Sequence, residues 1–267
     1  MGYTVFIKKR KISASQERSV PHMRTNTAAV NPVLPTAPAL KGKPRRQREV
    51  RDPYDGLRPW SAITHGVGAA LAVLATIALL ARSASQGKWL LFGLFAVYGL
   101  SMICLYTAST LYHCLNTSVP GRLALRKYDH CSIYLLIAGS YTPLCLTVLR
   151  DSGGIPLAAA VWTLAAAGTV LTIAKLAIPR WLTSAIYLFM GWLAIFAIVP
   201  IYRALPPDGF FWLLAGGLLY TAGGVLYAVK WPGRNNPRFG CHEIFHLFIL
   251  LGSAAHFVMM YQVVLRL

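Results

Sequence analysis

The sequence predicts an all-α membrane protein, a bundle of seven transmembrane helices with a cytoplasmic N-terminus and an outside C-terminus. Three observations carry this. The 267 residues are 56% hydrophobic and only 13% charged, against about 25% charged in an ordinary soluble protein. Apolar runs of membrane-spanning length recur through the chain. The basic residues cluster in one tail and at the ends of those runs.

The tail comes first. Thirteen of the 26 Lys and Arg lie in residues 1–59. "KGKPRRQREVRDP" is basic and follows the proline-rich "NPVLPTAPAL". Residues 1–58 are therefore expected to be a disordered, membrane-proximal tail attracted to anionic lipid heads, and residues 59–267 the transmembrane domain. The tail has no apolar run long enough for a signal peptide, and "MGYTVF" lacks the Ser/Thr of a myristoylation signal. The net charge of +18 does not indicate nucleic acid, because its distribution is that of a membrane protein.

Spans are expected near 61–81, 89–112, 130–149, 155–174, 182–202, 210–229 and 243–265. Each holds about 20 residues, enough to cross ~30 Å of hydrocarbon. Turn chemistry separates them: "SQGK", "TSVPGR", "DSGG", "IPR", "PPDG" and "WPGRNNPR". "AGGLLYTAGG" places small residues on the sixth helix, which suits close packing. Cys104, Cys114, Cys131, Cys145 and Cys241 fall in or beside apolar segments with no C-x-x-C pair, so they read as reduced packing residues.

Orientation follows from charge. The tail shares its side with Arg122, Arg126, Lys127, Lys175, Arg180, Lys230, Arg234 and Arg238. The other side holds Arg82, Lys88, Arg150, Arg203 and Arg266. The positive-inside rule places the richer side in the cytoplasm. An integral, multi-pass protein of the plasma (inner) membrane is expected, with the lipid bilayer as its partner.

Depth then assigns the polar residues. His65, Ser109, His113, Asp129, His130, His242, Glu243 and His246 all fall at the cytoplasmic ends of their spans. His256 lies about 15 Å beyond His246 at ~1.5 Å per residue. Of the acids, only Asp129 and Glu243 approach the membrane interior, where ionisable groups are costly and mark function. His242 and His246, at i and i+4, share a helix face and can grip one ion. His113 is a third ligand from a facing helix. Three imidazoles and a water make the open pattern of catalytic zinc. In that reading Asp129 holds the water and accepts its proton. Ser109, one turn deeper than His113, donates to the water, to a ligand or to a substrate carbonyl. A single histidine at a helix end is ordinarily a hydrogen-bonded interfacial group; it is the convergence that points to metal. His65 and His130 read as residues behind the ligands or as packing, and His256 as a buried structural histidine. Glu243 admits two roles, a base or a cap on the helix dipole.

"HEIFH" also spells the zinc signature of metalloproteases. The extended form fails, because Gly252 and His256 come too late. No acid follows Glu243 to serve as a downstream ligand, and Asp208 lies on the opposite face. Asp129 is the one acid at the right depth.

"RPWSAITHGVGA", "STLYH", "KYDHCSIYLLIAGSYTP" and "GCHEIFHLFILLGSAAHF" resemble the four motif regions of the hemolysin III family, within the progestin and adipoQ receptor superfamily that includes the adiponectin receptors. The likeness covers residues ~57–265. It implies a seven-helix bundle with a cytoplasmic-side Zn2+ held by His113, His242 and His246, with Asp129 on a water and Ser109 nearby. "LRPWSAITH" departs from the family in lacking an acid before the first histidine motif. The resemblance implies a zinc-dependent, ceramidase-like hydrolase of lipid amides, with a lipid or acyl-chain substrate. The alternative is a non-enzymatic membrane effector or sensor, or a pore-forming cytolysin, with a structural zinc. No span carries a polar stripe along its length, which favours a site over a channel.

Overall fold

The computed structural model describes residues 57–174, 180–233, 236 and 239–266, without the side chains of Arg180 and Trp181. The basic tail expected over 1–58 thus lies almost wholly outside the described residues, as does most of the link "KLAIPRW". The described residues are all-helical.

Helix α1 spans Pro59–Ser85 and begins with proline, whose missing N–H is one that a first helical turn leaves unbonded anyway. It ends at a turn in which Gly87 takes φ +67°. Helix α2 spans Trp89–Cys114. Helix α3, Val119–Leu146, starts where the Ser118 side chain accepts from the Gly121 N–H. It therefore begins eleven residues before the expected third span. The chain kinks through Arg150–Gly154 and resumes as α4, Ile155–Ile173.

The expected fifth span is broken. Helix α5, Arg180–Trp192, gives way to a 3-10 stretch at Leu193–Ala197 and then to α6, Ile198–Ala204. Backbone groups freed at such a break must be satisfied inside the protein when lipid surrounds it. The Tyr141 hydroxyl does this. It lies 2.7 Å from the Gly191 carbonyl and 3.1 Å from that of Met190, and accepts from the Ala194 N–H at 2.8 Å. Helices α7, Pro207–Val229, and α8, Cys241–Gln262, follow.

Among the described residues, six segments are long and apolar enough to cross a membrane: α1, α2, α4 with its preceding kink, Leu182–Ala204, α7, and α8 with its short extension. Helix α3 is not among them, because Arg122, Arg126, Lys127, Asp129 and His130 lower its apolar content. These segments face outward with their oil. On α1, Ile63, Val67, Leu71, Leu74 and Ile77 are exposed, while Ser61, His65, Gly68, Thr76 and Ser83 are buried. Such a distribution suits a lipid surround.

Helix α1 packs between α2 and α8, α3 packs on α2, and α7 on α8. At the centre Phe95, Tyr98, Met102 and Leu105 of α2 meet Ala72 and Leu79 of α1 and Met259 and Met260 of α8. Close approach is built in: a Cβ at Gly99 would strike the Thr76 side chain. Interhelical hydrogen bonds add to this packing. Tyr106 Oη and Ser253 Oγ are 2.6 Å apart, and Tyr220 Oη and Ser253 Oγ 2.9 Å.

Candidate metal centre

The last turn of α2, the first turns of α8 and the first turn of α1 meet at one end of the bundle. The start of α8 is set by Gly240, whose extended backbone ends in an N–H donating to Glu243 Oε2 at 2.8 Å. A carboxylate there also complements the helix dipole. This cap fixes where His242 and His246 fall, one turn apart on one face.

Their nitrogens converge with that of His113. One ring nitrogen from each of the three histidines lies within 4.8 Å of the other two. His242 Nε2 and His113 Nε2 are 3.2 Å apart. Tetrahedral zinc with Zn–N of about 2.05 Å needs ligand nitrogens about 3.3 Å apart, so this edge already fits an ion. His246 turns Nδ1 toward the Ser61 carbonyl at 3.3 Å. A carbonyl can only accept, so Nδ1 carries the proton and Nε2 presents its lone pair. The donor set is chemically that of a first-row metal such as zinc or copper.

The surroundings hold these rings. His65 stacks on His246 with centroids 3.6 Å apart, and its other side meets the Tyr106 ring edge at 5.1 Å. The Tyr227 ring stands against His242 at 5.5 Å. The end of α2 leaves carbonyls that no helical N–H reaches. Arg122, buried at 2% exposure, donates to those of Tyr112 and Leu115 and lies 4.6 Å over the Tyr112 ring. The Arg58 N–H takes the His113 carbonyl at 3.1 Å.

The remaining expected site residues are placed as follows. Ser109 is buried one turn before His113. Its side chain lies near the Asp129 carboxyl. Asp129 is half-buried on α3 and is not a member of the three-histidine group. His130 sits beside it, its carbonyl accepting from Tyr187 Oη at 3.1 Å. His256 lies away from the cluster, with Nε2 3.3 Å from the Leu213 carbonyl and its ring against Tyr220. It also lines an apolar cavity with Tyr141, Trp192, Ile198, Leu213 and Met259, remote from the three histidines.

Glu243 is a cap and an ion-pair partner. Beyond Gly240, its Oε1 accepts from Ser61 Oγ at 3.0 Å and from Arg58 Nη1 at 3.1 Å. Both carboxylate oxygens are engaged, which leaves it ill-placed to act as a base. The sequence places Ser61 at this end of the bundle without assigning it a contact, and it does not single out Arg58 or Arg122. Their partners lie on other helices, and no local spacing announces them.

A multi-pass helical membrane protein with three histidines from two helices gathered at one end of its bundle is the class these features define. The "Haemolysin-III related" family model matches residues 59–257, and the chain belongs to that family. Hemolysin-3 of Bacillus cereus is 41% identical over 199 residues, covering 74% of this chain and 87% of that protein. A Hemolysin-3 homolog of Bacillus subtilis (strain 168) is 39% identical over 197 residues, covering 74% and 89%. The human monocyte to macrophage differentiation factor is 28% identical over 181 residues, covering 64% and 70%.

Proposed function

We propose that α3 completes a seven-span bundle with a cytoplasmic N-terminus in the plasma (inner) membrane. On that membrane's cytoplasmic face, His113, His242 and His246 hold Zn2+ and the protein hydrolyses the amide bond of a lipid. In this reading residues 1–58 form a basic tail and residues 59–267 the membrane domain. The observation that carries the metal is the close meeting of three imidazole nitrogens, one of which has its second nitrogen fixed by a backbone carbonyl.

Bound at these histidines, zinc supplies Lewis acidity to a carbonyl oxygen and to an attacking water. The protein does the rest. Asp129 takes the proton from the attacking water and returns it to the leaving amine. Ser109, near the Asp129 carboxyl, orients it through its hydroxyl in this reading and donates to the substrate oxygen once Asp129 is protonated. The apolar outer faces of the helices admit an acyl chain from the bilayer. The lipid-amide class rests on the resemblance to the adiponectin-receptor relatives.

A second reading draws on the relatives' names. Hemolysin-3 names a lytic activity for that protein, and the same three histidines would then hold a structural ion in an effector or cytolysin. One experiment divides the two. The protein is purified in detergent, its zinc measured, and lipid-amide cleavage assayed for wild type and Asp129→Ala. Zinc with turnover that Asp129→Ala abolishes supports the hydrolase. Zinc with no turnover on any lipid amide sinks it in favour of the structural ion, and absence of metal sinks the site.

A further inference from the structure

Arg58, which precedes α1, and the first turn of α1 contribute no ligand, yet they touch both helices that carry one. Their four contacts form a closed circuit. The Arg58 N–H holds the His113 carbonyl at 3.1 Å, at the end of α2. The Arg58 guanidinium holds Glu243 Oε1 at 3.1 Å, at the start of α8. Ser61 Oγ donates to that same oxygen at 3.0 Å. The Ser61 carbonyl accepts from His246 Nδ1 at 3.3 Å. Glu243 closes the circuit by capping its own helix through Gly240.

These contacts constrain the two helices that carry the three imidazoles. The bond to the His113 carbonyl ties the end of α2 to the start of α1. The ion pair sets the lateral distance between α1 and α8. The Ser61 carbonyl sets the tautomer and tilt of His246. Glu243 is 1% exposed and Ser61 fully buried, while the Arg58 side chain is 30% exposed, so water screens the ion pair in part and the Ser61–Glu243 contact hardly at all. Removing the guanidinium leaves a buried carboxylate without its cation.

We propose that Arg58, Ser61 and Glu243 are positioning residues that set the metal affinity of the His113–His242–His246 group. The inference rests on the reading of those histidines as a metal site. Residues that orient metal ligands from behind typically change affinity by about 10–100-fold when removed, and that is the effect assigned to this circuit. It also gives Glu243 a role that requires no proton transfer.

The test uses the full chain in detergent, with zinc and with cobalt as a spectroscopic substitute. Zinc dissociation constants are measured by chelator competition for wild type, Arg58→Gln, Ser61→Ala, Glu243→Gln and Arg58→Lys. Arg58→Gln and Glu243→Gln are expected to weaken zinc by about 10–100-fold and to alter the cobalt absorption bands. Arg58→Lys, which keeps a charge opposite Glu243, is expected to recover much of the affinity. The Arg58→Gln/Glu243→Gln double variant is expected to be little worse than Glu243→Gln alone, since the two single variants share the loss of the ion pair. Affinities within about threefold of wild type, in variants that keep their helicity, overturn the proposal while leaving the metal site standing. A wild type that binds no metal overturns the site reading itself, and the proposal with it. If Glu243→Gln fails to fold, Arg58→Gln and Ser61→Ala decide. If none of them folds while the metal-free wild type does, the circuit is a folding element and the proposal is overturned.

Discussion

The imidazole of His65 lies flat on that of His246, centroids 3.6 Å apart and planes 11° from parallel. His65 is 3% exposed, and neither of its ring nitrogens has a hydrogen-bond partner among the described residues. Its contribution is therefore the ring itself. A stacked aromatic pair is worth about 0.5–1.5 kcal/mol beyond area burial. Replacing His65 with Ala should weaken cobalt binding by roughly 2- to 12-fold, and Phe should restore it. Equal affinity for wild type and the Ala variant would remove the stack from the account.

The three ligands should behave unlike the other histidines. His113→Ala, His242→Ala and His246→Ala should each remove bound zinc when metal content is measured on purified protein. His256→Ala should keep it, because His256 binds the Leu213 carbonyl elsewhere in the bundle. Loss of metal in the His256 variant would contradict this division.

Asp129 and Ser109 should separate binding from chemistry. Asp129→Asn should retain zinc while lipid-amide turnover falls by about 10²–10⁴-fold, the range of a positioned proton acceptor. Ser109→Ala removes the hydroxyl proposed to hydrogen-bond that carboxyl. A charge-assisted bond is worth about 1.5–3 kcal/mol, so turnover should fall by roughly 10- to 150-fold with metal again retained.

Tyr141 should matter to stability and not to metal. Tyr141→Phe leaves the Ala194 N–H without its acceptor and two carbonyls without their donor. An unsatisfied buried group costs about 1–3 kcal/mol. Thermal unfolding in detergent should move down accordingly, with zinc content unchanged.

Gly99→Leu should force α1 and α2 apart, since even a Cβ there meets Thr76. Overpacking of this kind costs about 1–3 kcal/mol. A variant as stable as wild type would show that the two helices yield more easily than their packing implies.

Much of this was legible in the sequence, and the reason differs from part to part. Apolar run length announced six of the spans, because lipid demands about 20 apolar residues whatever their partners. The His242 and His246 pair was legible because i, i+4 spacing is a local property of one helix. The break at Leu193–Ala197 was not, since "LFMGWLAIFAIVP" is apolar throughout and the stabilising hydroxyl comes from Tyr141, fifty residues earlier. The early start of α3 was hidden by its charges, which look like loop residues until Ser118 is seen as a cap. Arg122 was counted by its charge as an aqueous loop residue, whereas its guanidinium is buried on the α2 carbonyls. Glu243 stayed undecided because its partners, Arg58 and Ser61, lie more than 180 residues away.

The division of α1 into an oily and a polar side sets its angular position. Docking the helix one residue out of phase would turn it by about 100°. Ser61, His65 and Thr76 would then swing toward acyl chains, and Ile63, Val67 and Leu71 would crowd the neighbouring helices. Polar groups in hydrocarbon are penalised heavily enough that the bilayer acts as a keyway for α1. The grip of Arg58 and Ser61 on α2 and α8 is thus aimed by lipid as well as by protein, and the solvent of the outer surface takes part in setting the geometry of the inner one.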